Sequence, residues 1–331
     1  MTLTSKNTLQ EWLDDSVGGP ILRGILAQGG QSEEALRPAA GLPLRAMVEL
    51  GGGAFPQELV DTLVKQANGG VIPPEETEEE SQDGSGRFVG RTVVVTGAGS
   101  GIGRATARRL VREGARVVAA DVVAARLDAL VAEHPDLDLV PVAGDITAEA
   151  GVQAVVDAAD GRVDVLANVA GVMDAFVPAA EIDDAAWEFV FAVNVTAVMR
   201  LTRAVLPSML EAGHGAIVNV ASEAALRGSA AGLAYTASKH AVAGMTKNTA
   251  VIYGRDGIRT NAVAPGATIT NIEAPMSSAV AAAALGPIMQ ATVPTPVEAD
   301  VMAASITWLA SDDASNVNGV VLASDGGWSA V

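Results

Sequence analysis

The stretch Thr92–Leu110 reads TVVVTGAGSGIGRATARRL and decides the fold. Thr92 to Thr96 is a run of β-branched residues, the composition of a buried strand. From Gly103 the chain turns to helix-compatible residues through Leu110. Between the two stand Gly97, Gly99, Gly101 and Gly103, a chain of small residues that lets backbone approach a bound phosphate group. The helix that follows offers unpaired N–H groups and the positive end of its dipole. A glycine cluster alone often marks no more than a turn; here it sits between strand and helix, the context a pyrophosphate cradle needs.

Outward from that turn the pattern repeats. Apolar strands are predicted at 92–96, 116–121, 139–143, 163–168, 216–222, 258–264 and 320–324, with alanine-rich helical stretches such as 103–113 and 184–205 between them. Strands alternating with helices call for an α/β fold, here a doubly wound, seven-stranded parallel sheet of the Rossmann-like kind. The second strand ends at Asp121, about twenty residues after the glycines. A carboxylate there accepts hydrogen bonds from both hydroxyls of an adenosine ribose and repels a 2′-phosphate. The neighbouring Ser100 and Val122 carry no charge, so the expected cofactor is NAD(H) rather than NADP(H).

Composition excludes several other readings. The chain of 331 residues has no cysteine, which removes disulfides, thiolate metal sites and cysteine nucleophiles. Its three histidines, His134, His214 and His240, are far apart in sequence, and no metal site is expected. A formal net charge of −18 argues against nucleic acid and anionic membranes as partners. Apolar runs fall short of the roughly 20 residues needed to span a bilayer. The N-terminus MTLTSKNTLQEWLDD has no apolar secretory core, so a cytoplasmic protein is expected.

The first part of the chain differs in kind. Residues 1–70 read as a small all-helical module: Leu9, Trp12, Leu13, Ile21, Leu22, Ile25 and Leu26 recur near helical spacing, broken at Gly18-Gly19-Pro20. Further helical stretches begin near Leu42 and at Pro56, the latter stopping at Asn68-Gly69-Gly70. Such short helices bury little surface, so the module is expected to lean on something larger. The module either contacts an oligomer or partner surface or is an inert fused passenger, and Trp12 is the residue whose substitution would test docking. The segment 71–88, with two prolines, a carboxylate run and Gly-Ser-Gly, reads as a solvated linker, and 89–331 as the α/β domain.

The second decisive stretch is Ile217–Val242, IVNVASEAALRGSAAGLAYTASKHAV. Tyr235 and Lys239 are four apart and share a helix face. A lysine beside the phenol lowers its pKa from about 10 and makes it a usable acid/base. Ser222, at the C-terminal end of a strand, can hold a substrate oxygen beside the Tyr235 hydroxyl. Of the chain's two tyrosines, Tyr253 has no lysine four residues on.

Thr96-Gly97-x-x-x-Gly101-x-Gly103 followed by Ser222-x12-Tyr235-x3-Lys239 resembles the short-chain dehydrogenase/reductase family. The resemblance runs over about 89–331 and implies a catalytic set of Asn194, Ser222, Tyr235 and Lys239. Asn194 would hold a water that relays protons to the lysine. Gly97, Ser100, Gly101, Ile102, Gly103, Asp121, Asp145, Ile146, Asn168, Ala170, Gly171, Pro265, Gly266, Thr268 and Thr270, with Tyr235 and Lys239, would contact the cofactor. The Asn168-Val169-Ala170-Gly171 segment departs from the family's NNAG at Val169. Asp325-Gly326-Gly327 closes the pattern.

The implied activity is NAD(H)-dependent interconversion of a secondary alcohol and a ketone. A lid from Ala267 to about Thr295, with Met276, Leu285, Ile288 and Met289, and Met173 and Phe176 opposite, suits a small neutral substrate. The family implies a homo-oligomer, here a tetramer. Two other classes compete: a nucleotide-binding regulator without turnover, disfavoured by the complete tetrad, and an epimerase with tightly held NAD, disfavoured by the short C-terminal region. The segment 42–70 faintly resembles helical appendages of some glycoside hydrolases but carries no chemical motif.

Overall fold

The computed structural model describes residues 2–50, 55–73, 86–272 and 275–331. The chain forms two compact units, Met1–Asp83 and Gly84–Val331. The central part of the expected linker, 74–85, lies outside the described residues.

In the first unit, helices α1 (Leu9–Asp14), α2 (Gly18–Gln28), α3 (Ala46–Leu50) and α4 (Gln57–Ala67) are joined by a 3-10 turn at Glu33–Ala39. Thr8 starts α1 with a capping box: its hydroxyl accepts from Glu11 N, and the Glu11 carboxylate accepts from Thr8 N. The unit has a core of its own, built on Leu3, Leu9, Trp12, Leu22, Leu44 and Leu63. Trp12 is fully buried in it, with Nε1 donating to the Thr4 carbonyl at 3.0 Å. Gly18 is small because a Cβ there would come 2.3 Å from Leu3 and 3.0 Å from the Trp12 ring. The choice of Trp12 to test docking is therefore corrected: the indole is needed inside the module.

The second unit holds a seven-stranded parallel sheet among the described residues: β1 (Thr92–Thr96), β2 (Arg116–Asp121), β3 (Leu139–Ala143), β4 (Val165–Asn168), β5 (Gly215–Val220), β6 (Ile258–Pro265) and β7 (Val321–Ser324). Their order, β3-β2-β1-β4-β5-β6-β7, reverses direction between β1 and β4. Every residue of β1 is buried, as a strand covered on both faces requires. Alternation then sorts the side chains: Val93, Val95, Val117 and Ala119 go to one core, Val94, Val118 and Ala120 to the other.

The first core is closed by α5 (Gly101–Arg112), α6 (Ala124–Glu133) and α12 (Ala299–Ala310) through Leu110, Leu127, Leu130, Ile306 and Leu309. The second is closed by α7 (Glu149–Ala158) and α9 (Val198–Ala212) through Val155, Leu201, Val205 and Met209. Phe88, assigned above to the linker, is buried in the first core, and Arg87 pairs with Glu113 at 2.7 Å, so the larger unit begins before residue 89.

The helix expected at 184–205 is a compound element. It runs as α8 (Asp184–Phe191), one π turn over Ala192–Ala197, and α9. Its 29 residues make it long and apolar enough to cross a membrane by length and composition, contrary to the sequence expectation. Its inner side instead covers the sheet, and its π turn carries buried Asn194. Two further helices, α10 (Leu233–Tyr253) and α11 (Ala279–Thr292), complete the unit.

Candidate active site

The glycine turn has the form that its sequence predicts. Gly97 and Gly101 have φ of +67° and +49°, a region that costs other residues. Gly103 allows α5 to enter close against β1, since a Cβ there would lie 2.1 Å from the Gly97 carbonyl oxygen. Ser100, the residue before α5, makes no side-chain cap, so the first N–H groups of the helix keep their donors for a ligand. Ile102, half-buried, packs against the first core. Thr96 ties this turn to the next strand end: its hydroxyl accepts from Val169 N and Ala170 N, both at 3.0 Å. These residues fit a dinucleotide: the first N–H groups of α5 carry no side-chain cap, and Gly97 packs against Ala170, whose Cα would lie 3.0 Å from a Cβ there.

Asp121 ends β2 with Oδ2 accepting from Gly99 N and Oδ1 from Val123 N, each at 2.9 Å. The carboxylate thus faces the glycine turn, where a ribose would lie. One cation escaped the sequence reading: a Cβ on Gly99 would lie 2.8 Å from both the Arg126 Cβ and the Asp121 Cγ. Arg126 is on the first turn of α6, five residues past Asp121. Asp145, after β3, accepts from the backbone and hydroxyl of Thr147, and those bonds hold its pKa below the usual value. Ile146 packs against the second core. Asn168 is turned into the sheet, donating to Asn219 Oδ1 at 2.9 Å, so its side chain braces β4 against β5. Gly171 comes close to two catalytic candidates: a Cβ there would be 3.3 Å from both Asn194 Oδ1 and Lys239 Nζ.

The four catalytic candidates converge beyond the C-terminal ends of β4 and β5. Ser222 follows β5 in extended backbone, and its hydroxyl accepts from Ala224 N at 3.1 Å, leaving its own proton to donate. Tyr235 lies in the first turn of α10, buried, within hydrogen-bonding reach of Ser222. Lys239, one turn on, is buried with Nζ donating to the Val220 carbonyl at 2.9 Å and lying 5.4 Å from the Tyr235 ring centroid. Asn194 is fully buried. Its amide donates to Val172 O at 2.9 Å and Ser238 Oγ at 3.1 Å, and its Oδ1 accepts from Val172 N at 2.9 Å. Both amide protons are therefore spent on protein groups.

Electrostatics depart from the sequence expectation. Burial pushes the Tyr235 phenol up to about 12; the Ser222 bond opposes this and the Asp174 charge adds to it. Burial also pushes Lys239 down to about 8. Lys239 Nζ donates to Val220 O and lies over the Tyr235 ring. In the free chain the phenol is held as an acid.

The segment after β6 closes over the cradle. Pro265 ends β6, and Gly266 must be glycine because a Cβ would lie 2.7 Å from Asp325 Cα. Thr268 bonds to the Gly266 carbonyl, and Thr270 faces Gly101, whose Cβ would lie 3.2 Å from it. Residues 273–274 of the expected lid lie outside the described residues. Its helix α11 forms, with Phe176, Pro178, Ala231, Gly232 and Thr236, a cleft of about 370 Å³ whose lining includes neither Tyr235 nor Ser222. Leu285 lines this cleft, and Ile288 on the same helix is exposed to solvent. Met173 packs with Tyr235.

Sequence reasoning missed the groups around this site. Asp174 is buried, with Oδ1 accepting from Phe176 N and Gly232 N at 3.2 Å and Oδ2 accepting from Tyr235 N at 3.1 Å. It caps α10 from a distant loop and anchors the catalytic tyrosine by its own backbone. The positive φ of 56° at Phe176 is the strain that this loop carries. Glu223, Arg227 and Trp328 also surround Ser222 and Tyr235. No spacing motif marks these residues; their proximity comes from the folded chain.

A family model described as short chain dehydrogenase matches residues 91–281. The 3beta-hydroxysteroid dehydrogenase 2 of Eggerthella lenta is 42% identical over 255 residues, 73% of this chain and 96% of that protein. The crystal structure of levodione reductase superposes with a TM-score of 0.66 at 38% identity, covering 74% of this chain and 99% of that one. A Beutenbergia cavernae protein, assigned as an NAD(P)-dependent gluconate 5-dehydrogenase and holding NADP at low occupancy, superposes at 0.64 with 37% identity. It covers 73% of this chain and 98% of its own.

Proposed function

This chain belongs to the short-chain dehydrogenase family, and we propose that it interconverts a neutral secondary alcohol and a ketone with NAD(H), using Tyr235 as the acid/base. The observation that carries the reading is the convergence of half-buried Ser222 with buried Tyr235, Lys239 and Asn194 beside a glycine cradle fit for a dinucleotide.

A dinucleotide in that cradle would accept or supply the hydride and, when oxidised, add positive charge near the phenol. The Ser222 hydroxyl donates to the substrate oxygen and stabilises the charge that develops there. Tyr235 Oη delivers the proton in reduction and takes it in oxidation. Lys239 uses one of its three donors on Val220 O and has two left for a ribose hydroxyl and a water. Asn194 fixes the loop after β4, which keeps Gly171 and Lys239 in register. The phenol, pushed up to about 12 by burial, carries its proton across the neutral range. Oxidation needs the phenol pKa lowered, which falls to Lys239 and the oxidised cofactor.

Asp121 supports NAD(H), because a 2′-phosphate would meet its charge. Arg126 supports the second reading, NADP(H), since it is the cation beside Gly99. Asp121→Ala decides between them: a marked fall in the NAD to NADP ratio of kcat/KM is expected, and an unchanged ratio refutes the assignment.

The apolar cleft, and the kinship with a hydroxysteroid dehydrogenase, support an apolar ring-bearing alcohol or ketone as substrate. Tetramer assembly is supported by two separate apolar surfaces. Phe189 and Met199 with Val251 and Ile252 are exposed on α8–α10, and Val301 and Trp308 are exposed on α12 next to edge strand β7. The net charge supports a partner set without nucleic acid, and a cytoplasmic setting remains part of this proposal. The functional test is NADH formation from NAD with a panel of cyclic secondary alcohols, beside Tyr235→Phe. Turnover lost in the variant is the expected result; turnover that survives there overturns the acid/base assignment.

A further inference from the structure

The hydride chemistry leaves a buried acid next to Ser222 unused. Glu223 follows Ser222 directly and is fully buried. Arg227 Nε lies 2.9 Å from Glu223 Oε2, but off the donor axis, and no N–H or hydroxyl donor bonds either Glu223 oxygen among the described residues. A second carboxyl, Asp325 in the turn after β7, faces it closely enough to share a proton. Asp325 is itself fixed, accepting from Gly327 N at 2.9 Å and Ser329 N at 2.5 Å. Arg227 continues into the same turn: it donates to the Trp328 carbonyl and stacks 5.5 Å from the Trp328 ring centroid. Trp328 packs with Ala224, Ala231 and Tyr235, and its Nε1 donates to Thr292 Oγ1 at 3.1 Å. One cluster thus joins the Ser222 loop, the start of α10, the C-terminal turn and the end of α11.

We propose that Glu223 is a positioning residue: set between Arg227 and Asp325 behind Ser222, it locks the catalytic loop to the C-terminal turn and keeps Ser222 aligned with Tyr235. The inference rests on the oxidoreductase reading above. Two carboxyls in contact, one of them buried, hold one negative charge more easily than two. Burial first, and the Asp325 contact second, push Glu223 up to about 7. Asp325, against its own burial, is held low by Ser329, Gly327 and Glu223. Glu223 is therefore the proton carrier, donating to the Asp325 carboxylate. The groups that face or neighbour it are Arg227 from its own loop, Asp325 from the C-terminal turn, and Tyr235 and Lys239 from the near end of α10. The near end of β6 carries no ionisable side chain. When the shared proton leaves, the two carboxylates repel and the lock opens.

The test compares the wild type with Glu223→Gln, whose amide donates to Asp325 at every pH. In the wild type, kcat/KM for ketone reduction is expected to fall several-fold from pH 6 to 8.5 with a first step near 7; in Glu223→Gln that step disappears. The same step should appear without turnover, in the Trp328 fluorescence obtained by subtracting a Trp328→Phe variant. It should vanish in Glu223→Gln and in Asp325→Asn, which removes the second carboxyl. A fluorescence step near pH 7 that persists in both variants overturns the proposal, as does an unchanged kcat/KM profile in Glu223→Gln. Because fluorescence needs no substrate, failure here is distinct from failure of the oxidoreductase reading, which Tyr235→Phe tests.

Discussion

Asp174→Asn is the most informative perturbation of the catalytic tyrosine, because it changes charge and leaves volume nearly constant. Asp174 receives three backbone N–H bonds, one from Tyr235 itself, in a buried loop. An asparagine oxygen at Oδ1 keeps the bonds from Phe176 and Gly232. The amide nitrogen at Oδ2 would then confront Tyr235 N–H, donor against donor. Hydrogen bonds to charged acceptors contribute about 1.5–3 kcal/mol and neutral ones about 1 kcal/mol. Losing one and weakening two should cost on the order of 2–4 kcal/mol, measured by urea unfolding. The second effect is electrostatic. Asp174 raises the Tyr235 pKa, so its removal lowers it, and the rising limb of alcohol oxidation should move to lower pH. A merely structural capping residue would lower stability and leave that limb in place. Stability unchanged within about 0.5 kcal/mol, the range of ordinary surface changes, together with an unmoved pH limb, would refute the reasoning.

Three further outcomes follow from the same geometry. Gly103→Ala should abolish dinucleotide binding and destabilise the larger unit, because its Cβ meets the Gly97 carbonyl at 2.1 Å; normal NADH affinity by fluorescence titration would contradict this. Trp12→Ala should unfold the N-terminal unit, at a cost of about 3–5 kcal/mol typical of a buried aromatic, while NADH binding in the full chain persists. A cooperative N-terminal unit in that variant, seen by hydrogen exchange, would show that its core does not depend on the indole. Lys239→Met should remove activity yet raise stability at neutral pH. The native lysine pKa of about 8 lies below its ordinary 10.5, so burial penalises the native state below pH 8, and the penalty fades as pH rises to 10.5. The gap between variant and wild type should thus close over that window, from a value on the order of 3 kcal/mol; a gap independent of pH would count against a buried ammonium.

Local pattern made much of this molecule legible. The β1–turn–α5 unit could be read from Thr92–Leu110 because strand, glycine turn and helix are each encoded within a few residues. The spacing of Tyr235 and Lys239 worked for the same reason: four residues on a helix define a shared face. Strand ends moved by one or two residues at β4, β5, β6 and β7, where boundaries depend on pairing partners. The π turn at Asn194 and the membrane-like length of its helix were invisible to periodicity, since the turn shifts register by one hydrogen bond. Trp12 was misread because exposure of an apolar residue on a short helix depends on what folds back over it.

By itself, the sequence determined the parallel sheet and the glycine turn, properties of local spacing and periodicity, and its motifs pointed to the family and to four candidate catalytic positions. Only the tertiary structure decided that the Tyr235 phenol is held protonated by burial, that Asp174 caps its helix, and that Glu223 meets Asp325. Each of these depends on desolvation or on charges from distant segments, and both are set by packing rather than by neighbours along the chain.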